Sequence, residues 1–508
     1  MAIRVFRARL TAIAAVLLTV TIAAACAPPS VPLTNFPTPT GERVVSVEGP
    51  DTVGPLRMRG SELVDGAGRV VLLHGMNSVN KSAPFISLLS DGNLGPADRA
   101  YLRTAGLNAI RLGVSYAALM PQPGVIDDDY LDQVVAVVDT LSGDGFWVQL
   151  DFHQDVFHMM PAWATPPDAL ALSDTPPEIL SFIGWAAAYT SPRSLRQWDA
   201  FLHAEPVEGA GGASTASLLG DAAAALADRV AAKDHVIGIE LLNEPFSGSS
   251  FLACILEGCP DIDALLGARY AEMTAKIRAV APQMPVWVEP FAPTGYVAPS
   301  TLPMPAVPAT SDGAQLGLAW HLYCADTDGG RPVESADLLK LFCQQRFVGG
   351  FANGASLAAS LGGPDGGPRI LNEFGASQNP LDATLVTRLA DEQLVSWMYW
   401  HHAGGGTVDD SPLPDVVESQ IVRPYPQATA GTPRSLRFDP VTGAFEFRFT
   451  PDSSIDAPTS IVVPPRQYPN GYDVVVAAAT VTSNPQSGRL TVVGDGSGAT
   501  VTVTLARR

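Results

Sequence analysis

The chain has 508 residues, which is long enough for a barrel of about 250 residues or more and a smaller second domain. Its 51 acidic residues outnumber its 31 basic ones, so the formal net charge is −20 at pH 7. An acidic protein repels phosphate backbones, which excludes nucleic acid as a partner. The sequence also offers no polybasic patch for anionic lipid.

Residues 1–26 have the pattern of a signal peptide. Three early arginines precede an apolar run over 10–22, and three alanines lead to Cys26. A cysteine in this place resembles a bacterial lipoprotein cleavage site, which predicts lipidation of Cys26. The alternative is ordinary cleavage that leaves Cys26 unmodified or removes it. Either reading predicts a protein that is secreted or lipid-anchored at the bacterial cell surface, with residues 27–50 as a Pro- and Thr-rich linker.

Residues 51–415 alternate short β-rich runs with Ala- and Leu-rich helical stretches, which predicts repeated βα units of the α/β class. Eight runs can be counted, the number that closes a (β/α)₈ TIM barrel. Each run begins apolar, as a strand buried on both faces should, and ends in polar or aromatic residues at the active-site face. The runs are RVVLLHGMN (69–77), AIRLGVS (109–115), FWVQLDFHQD (146–155), VIGIELLNEP (236–245), MPVWVEPF (284–291), LGLAWHLYC (316–324), RILNEFGA (369–376) and SWMYWHH (396–402).

A long insertion separates the third run from the fourth, over roughly 156–215. Its aromatic side chains either wall a pocket or pack as a core for the insertion itself, and the sequence leaves both readings open. They include Phe157, Trp163, Trp185, Tyr189, Trp198 and Phe201.

Residues 416–508 lose the helical signals and show alternating strands separated by Gly, Pro, Asn and Asp turns. This pattern predicts a C-terminal antiparallel β-sandwich domain. The domain could bind carbohydrate, with Tyr468 and Tyr472 as its candidate exposed aromatics, but we favour a structural role against the barrel.

Two glutamates end opposite runs of the predicted barrel. Glu244 closes the fourth run in Asn-Glu-Pro, and Glu373 closes the seventh in Asn-Glu-Phe-Gly. Cleavage of a glycosidic bond needs one carboxylic acid that protonates the leaving oxygen. It also needs a second carboxylate, about 5 to 5.5 Å away where that group acts as a nucleophile. Glu244 and Glu373 are therefore the predicted catalytic pair.

These strand ends resemble the retaining barrel glycosidases, notably glycoside hydrolase family 5, and the match runs through all eight runs. The resemblance implies that Glu244 is the acid/base, Glu373 the nucleophile, and Asn243 the residue that binds the sugar 2-hydroxyl. Arg111, at the end of the second run, would keep Glu373 ionised, whereas Glu244 needs a raised pKa to act as an acid.

Further residues follow from the same resemblance. Tyr323 in the family's His-x-Tyr pattern would hydrogen-bond Glu373, and His321 would contact the acid/base or the sugar. Trp400, which ends the eighth run, would form the floor beneath the sugar next to the cleaved bond. A structural role for His321 and core packing of Trp400 are the alternatives.

The third run ends in Asp-Phe-His-Gln-Asp, whose polar side chains can bind sugar hydroxyls. A metal site is the competing reading, but the sequence supplies no further convergent ligands at a metal-binding spacing. We expect neither a metal nor a cofactor. The residues concerned are Asp151, His153, Gln154 and Asp155.

Within family 5 the chain looks most like the endoglycoceramidases. The features that carry this resemblance are the stretch HGMNSVNKSAPF with Lys81, the strand ends DFHQD and HLYC, and the C-terminal domain. These enzymes cut the bond between an intact glycan and ceramide in glycosphingolipids, met at a membrane surface or micelle. The resemblance implies that Lys81, Asp151, His153 and Asp155 bind the glycan and that the apolar insertion receives the lipid. We expect a monomer.

Other substrates stay open within the same family. An endogalactosylceramidase, a glucosylceramidase or steryl glucosidase, and then a β-glucanase are the alternatives. A non-catalytic surface glycan-binding lipoprotein is the alternative of a different class. A lipase is excluded, because the chain has no Gly-x-Ser-x-Gly nucleophile elbow.

Five cysteines leave two possible pairs once Cys26 is set aside. Cys254 with Cys259, and Cys324 with Cys343, are the predicted disulfides, each local to a loop beside the pocket. Other pairings of these four residues stay open.

Overall fold

The computed structural model describes residues 53–90, 93–178, 187–292, 300–303, 305, 313–323, 337–361, 366–375, 380–401 and 415–508. Within these ranges, no helix combines the length and apolar character that crossing a bilayer requires. Residues Trp185, Cys324 and Cys26, and the linker over 27–50, lie outside the described part of the chain.

Three short strands come first and do not belong to the barrel: β1 (Arg57–Arg59), β2 (Glu62–Val64) and β3 (Val70–Val71). The sequence predicts one strand over 69–77, but β3 pairs antiparallel with a strand of the C-terminal domain. The barrel strand begins only at His74. The predicted strand is thus divided between two different sheets.

Eight parallel strands then close the predicted barrel, which the structure confirms. Their backbones are almost wholly buried, as the apolar runs require. The register sets Arg111 beside Asn77 on one neighbouring strand, and Glu373 beside His321 on another. The strands are β4 (His74–Ser78), β5 (Ala109–Val114), β6 (Trp147–Phe152), β7 (Val236–Glu240), β8 (Val286–Val288), β9 (Leu316–Leu322), β10 (Arg369–Phe374) and β11 (Ser396–Tyr399).

Helices follow the barrel strands, and several begin at a side chain that caps the first turn. Ser115, Asp127, Ser191 and Ser214 each accept a hydrogen bond from the backbone N–H three residues later. The helices are α1 (Pro96–Thr104), α2 (Tyr116–Leu119), α3 (Asp128–Gly143), α4 (Pro192–Leu202), α5 (Thr215–Val230), α6 (Phe251–Glu257), α7 (Pro260–Val280), α8 (Asp337–Leu361), α9 (Pro380–Gln393) and α10 (Asp415–Ile421), with 3-10 turns at Ala162–Ala164, Pro167–Ala171 and Gly248–Ser250.

An apolar plug closes the N-terminal end of the barrel. Leu56, Met58 and Leu63, around the β1–β2 hairpin, pack on residues at the starts of the barrel strands, among them Trp147 and Trp287. The Gln315 side chain fixes the hairpin, since it accepts from the Met58 N–H at 3.0 Å and donates to the Met58 carbonyl at 2.8 Å. The open end of the barrel is therefore the opposite, C-terminal one.

The C-terminal domain consists of two antiparallel sheets on a shared apolar core, as predicted. Its strands are β12 (Tyr425–Thr429), β13 (Gly431–Phe438), β14 (Phe445–Pro451), β15 (Thr459–Val462), β16 (Tyr472–Ala477), β17 (Ala479–Val481), β18 (Arg489–Gly494) and β19 (Val501–Arg507). In the described residues one sheet has the order β1-β2-β3-β12-β15-β18-β17 and the other β13-β14-β19-β16.

This domain packs directly on the barrel. The Tyr425 ring stacks on His74 with centroids 3.7 Å apart, and its hydroxyl donates to the Gly106 carbonyl at 2.7 Å. Tyr468 and Tyr472 are buried, so their interpretation as exposed sugar-stacking residues is wrong. These contacts fit the structural role that the sequence favours.

Candidate active site

Glu244 and Glu373 meet at the C-terminal end of the barrel. Glu373 lies in β10, and Glu244 follows β7 by four residues. One oxygen of each carboxylate and a ring nitrogen of His321 all lie within 4.8 Å of one another. Such a short separation suits a second carboxylate that attacks the sugar itself, since inverting enzymes leave room for a water between the two groups.

Arg111 is the charged centre beneath this pair. Its guanidinium is fully buried and forms an ion pair with Glu373. It also donates to Glu240 Oε2 at 2.7 Å and to Asn243 Oδ1 at 2.8 Å, and lies 3.0 Å from Asp151 Oδ1. Burial alone would lower the pKa of Arg111, but the surrounding carboxylates raise it well above its usual value. A permanent cation thus orients Glu373 and Asn243.

His321 in β9 and Tyr323 just after it complete the contacts of Glu244 and Glu373. The Tyr323 hydroxyl donates to Glu373 Oε2 at 2.7 Å. His321 Nδ1 lies 2.9 Å from Glu244 Oε1 and 3.3 Å from Glu373 Oε2. Burial lowers the pKa of His321 to about 3, so the ring is neutral, and its single proton belongs on the nitrogen that faces the carboxylates. His321 links both glutamates without adding a charge.

Glu244 has a different environment from Glu373. Its Oε2 accepts from the Tyr189 hydroxyl at 3.1 Å. Burial, with the nearby charge of Asp155, raises the pKa of Glu244 to about 7, while Lys81 and Tyr189 oppose the shift. The group can therefore hold a proton near neutral pH, as a general acid must.

The backbone of Glu244 is held in an uncommon conformation. Its φ is +42°, in the left-handed region. Its N–H donates to Glu289 Oε2 at 2.7 Å, and its carbonyl accepts from Gln154 Nε2 at 3.0 Å. Gln154 also exchanges hydrogen bonds with Asn243, so it positions the Asn-Glu pair. Sequence reasoning did not single out Glu289, although it ends the fifth barrel run.

We expect Glu289→Ala to lower turnover and Glu289→Gln to keep it. The alanine variant leaves the buried Glu244 N–H without its acceptor, which costs about 1–3 kcal/mol and frees the acid/base to move. Burial raises the pKa of Glu289 well above its usual value, and Glu240 and Glu244 add to the shift. Glutamine keeps an acceptor oxygen for the Glu244 N–H and places no charge in this buried position. Steady-state kinetics and thermal unfolding check this. Equal losses in both variants would contradict it.

The predicted glycan-binding residues form one polar wall beside Trp400. His153 Nδ1 lies 2.7 Å from Asp151 Oδ2, and its Nε2 lies 3.5 Å from Asp155 Oδ2. Lys81 forms an ion pair with Asp155, and its Nζ lies 4.6 Å from the centroid of the Trp400 ring. His153 stacks on the same ring with centroids 5.4 Å apart. Lys81 is therefore part of the wall, although 40% of its side chain stays exposed.

This wall carries fixed charges. Burial would lower the pKa of His153, but Asp151 and Asp155 outweigh it and raise the pKa to about 9. Burial would raise the pKa of Asp155, yet His153 and Lys81 hold it well below its usual range. Near neutral pH the wall therefore presents the imidazolium of His153 and the carboxylate of Asp155, with Lys81 paired to that carboxylate.

The pH dependence of hydrolysis should report the charges around Glu244. Activity should fall as the pH rises through about 7, because Glu244 then loses the proton that the leaving group needs. Asp155→Asn removes a charge that raises this pKa, so the alkaline limb should move to lower pH. Lys81→Met removes a charge that lowers it, so the limb should move to higher pH. Profiles of kcat/KM on a glycoside whose leaving group needs a proton measure both shifts, and shifts of the same sign would contradict the assignment.

The insertion between β6 and β7 serves as core and as pocket wall in different parts. Phe157, Trp198 and Phe201 are buried within the barrel's main core. Tyr189 is buried too, but its hydroxyl reaches Glu244. Both readings of the aromatic residues thus apply, although the sequence gives no means of assigning Tyr189 to the site.

The cysteines after the fourth strand are paired as predicted. Cys254 and Cys259 form a disulfide, with Cα atoms 4.6 Å apart, at the end of α6. The second predicted pair includes Cys324, which lies outside the described residues, so that pairing stays a prediction.

Comparisons with known proteins match most of the chain to glycoside hydrolase family 5. Residues 95–405 match the cellulase family, glycosyl hydrolase family 5, and residues 423–505 match the glycoside hydrolase family 5 C-terminal domain. Endoglycoceramidase I of Rhodococcus hoagii (strain 103S) is 38% identical over 458 residues, which cover 89% of this chain and 88% of that protein. An endoglycoceramidase of Cyanea nozakii is 26% identical, over 82% and 85% of the two chains.

Solved structures show the same likeness. Endo-glycoceramidase II from Rhodococcus sp., in its complex with ganglioside GM3, superposes with a TM-score of 0.72 at 29% identity, covering 89% of this chain and 100% of that one. The lactosyl-enzyme intermediate of the same enzyme gives a TM-score of 0.70 at 28% identity, with coverage of 88% and 100%.

Proposed function

The chain belongs to glycoside hydrolase family 5, and on that premise we propose that it is an endoglycoceramidase. It hydrolyses the β-glycosidic bond between an oligosaccharide and ceramide and releases both parts intact. The observation that carries the proposal is the pair Glu244 and Glu373, two close carboxylates with different surroundings. The 38% identity to an endoglycoceramidase, over most of both chains, supports the substrate class.

The proposed reaction is a double displacement with retention. Glu373, oriented by Arg111 and Tyr323, attacks the anomeric carbon while Glu244 gives its proton to the ceramide oxygen. The glycosylated Glu373 is neutral, so the pKa of Glu244 falls and the group can next accept a proton from water. The lactosyl-enzyme intermediate solved for the Rhodococcus sp. enzyme supports this path.

We assign the polar wall to the glycan. Lys81, Asp151, His153 and Asp155 would bind its hydroxyls, and Trp400 would lie beneath the sugar next to the cleaved bond. The Asn243 side-chain oxygen accepts from Arg111, and its amide group donates to the Gln154 carbonyl. Each of these groups can form one more hydrogen bond, which we assign to the sugar 2-hydroxyl.

One digest tests the function. The purified enzyme is incubated with lactosylceramide, glucosylceramide, ganglioside GM3, a 6-linked galactosylceramide series and carboxymethylcellulose, and the products are identified by mass spectrometry. We expect intact oligosaccharide and ceramide from the glycosphingolipids. Cleavage of cellulose alone would overturn the substrate but keep the catalytic pair, and release of glucose from glucosylceramide alone would indicate the exo-acting alternative.

We also propose that the protein is exported and anchored through Cys26, and that it meets its substrate as a monomer at a lipid surface. The signal-like N-terminus supports export, and the Cys254–Cys259 disulfide suits an oxidising compartment. Intact mass of the native protein tests the anchor, because acylation adds mass that Cys26→Ser abolishes. An unmodified mature N-terminus would contradict it.

A further inference from the structure

Four leucines are exposed on segments that follow β6 and β7. Leu252 and Leu256 are 55% and 64% exposed, and their spacing of four residues puts both on one face of α6. Leu170 and Leu172, at the end of the 3-10 turn after β6, are 63% and 37% exposed. Large exposed apolar side chains that cluster mark a binding surface more often than scattered ones do.

Helix α4 joins the two segments into one surface. Arg193 donates to the carbonyl oxygens of Leu170 and Leu172, at 3.3 and 3.0 Å. At the other end of α4, Asp199 Oδ1 accepts from the Ser249 N–H at 2.9 Å, immediately before α6. The Cys254–Cys259 disulfide anchors the far end of α6. We call the four residues Leu170, Leu172, Leu252 and Leu256 the leucine rim.

The leucine rim is connected through packed side chains to Glu244, the residue that acts on the leaving group. Segments that follow barrel strands lie at the active-site face. Glu244 touches Tyr189, whose ring stacks on Phe246 with centroids 5.2 Å apart, and Phe246 lies 5.8 Å from Phe251 of α6. A continuous series of buried aromatic contacts therefore joins the proposed acid/base to helix α6, which carries Leu252 and Leu256. The group that Glu244 protonates is the ceramide oxygen.

The charges around the rim select the kind of lipid surface. Arg193 pairs with Asp174 at 2.7 Å, and Arg196 pairs with Asp168 and Glu205 at 2.8 and 2.7 Å. These cations are thus already neutralised, and the whole chain carries −20. Anionic lipid attracts uncompensated Lys and Arg and repels acidic surfaces. A zwitterionic surface has no net charge, so it does not repel the acidic protein.

We propose that the leucine rim docks the enzyme on a zwitterionic lipid bilayer and so places Glu244, which protonates the ceramide oxygen, next to the membrane. The inference rests on the proposed function and adds the surface that reaches the membrane. Docking by exposed leucines needs no lipid anchor, since the apolar area removed from water stabilises the contact.

The test compares a double variant, Leu252→Ser with Leu256→Ser, against a matched control, Val475→Ser with Val493→Ser. The control valines are 68% and 43% exposed in the C-terminal sheets. Every protein, the parent included, carries Cys26→Ser, so that no acyl chain contributes to binding. Flotation with phosphatidylcholine vesicles that hold no glycolipid measures docking without catalysis. We expect the double variant to bind at least about tenfold more weakly than the parent and the control.

A second measurement separates docking from chemistry. The rate on lactosylceramide in phosphatidylcholine vesicles is divided by the rate on a soluble aryl β-lactoside, and this ratio should fall about tenfold or more in the double variant alone. Adding phosphatidylserine at low salt should weaken flotation. Parent-like flotation and ratio in the double variant, or stronger flotation with phosphatidylserine, would overturn the docking proposal. Failure of the parent to cleave lactosylceramide in detergent would instead overturn the proposed function.

Discussion

Glu373→Ala should lower kcat on lactosylceramide by about 10⁴-fold or more, because no other group can form the covalent intermediate. The fold should survive, since the buried Arg111 keeps its contacts to Glu240, Asp151 and Asn243. Kinetics with mass-spectrometric detection of ceramide measures the loss. Glu208→Ala, which alters an exposed glutamate, is the matched control and should retain parental activity.

Azide rescue of this variant identifies the role of the missing group. Azide can occupy the space of the Glu373 carboxylate and attack the anomeric carbon from the face opposite the leaving group, while Glu244 still supplies the proton. The product should be an α-glycosyl azide, inverted relative to the substrate, and NMR of the product shows its configuration. A β-azide from Glu373→Ala, or near-parental turnover without azide, would refute the nucleophile assignment.

The barrel and its catalytic pair could be predicted from the sequence because of how parallel strands are buried. A strand covered on both faces needs a continuous apolar run, and the barrel opens where that run turns polar. Glu244 and Glu373 stand at such transitions, and so does Tyr323, whereas Arg111 is the third of the 6 residues of β5 and follows from the family resemblance. The structure brings all four to one place.

Contacts between distant segments could not be predicted in the same way. Glu289 reaches the backbone of Glu244 from 45 residues away, and Tyr189 reaches its carboxylate from 55. A glutamate at a strand end and a tyrosine in an insertion have many possible partners, and local pattern does not choose among them. The split of residues 69–77 between two sheets was hidden for a related reason, because both halves are buried and only their distant partners show which sheet each joins.

Glu244→Ala should behave differently from Glu373→Ala, and the difference depends on the leaving group. Ceramide leaves as a poor alkoxide and needs the proton, so kcat on lactosylceramide should fall about 10²–10⁴-fold. A dinitrophenyl β-lactoside leaves without a proton, so its glycosylation step should change little. Its turnover should then stall at the second step, where Glu244 no longer activates water, and the lactosyl-enzyme should accumulate. Intact-protein mass spectrometry detects this added lactosyl group.

The configuration of the rescued product completes the contrast. In Glu244→Ala azide needs no general base, so it should attack the glycosyl-enzyme that Glu373 has already formed. Two inversions then give a β-glycosyl azide with retained configuration, the opposite of the Glu373→Ala product. An equal loss on ceramide and dinitrophenyl substrates, or an α-azide, would mean that Glu244 is not the acid/base. Because the two variants share a pocket and differ by one carboxylate each, opposite products cannot arise from a general loss of structure.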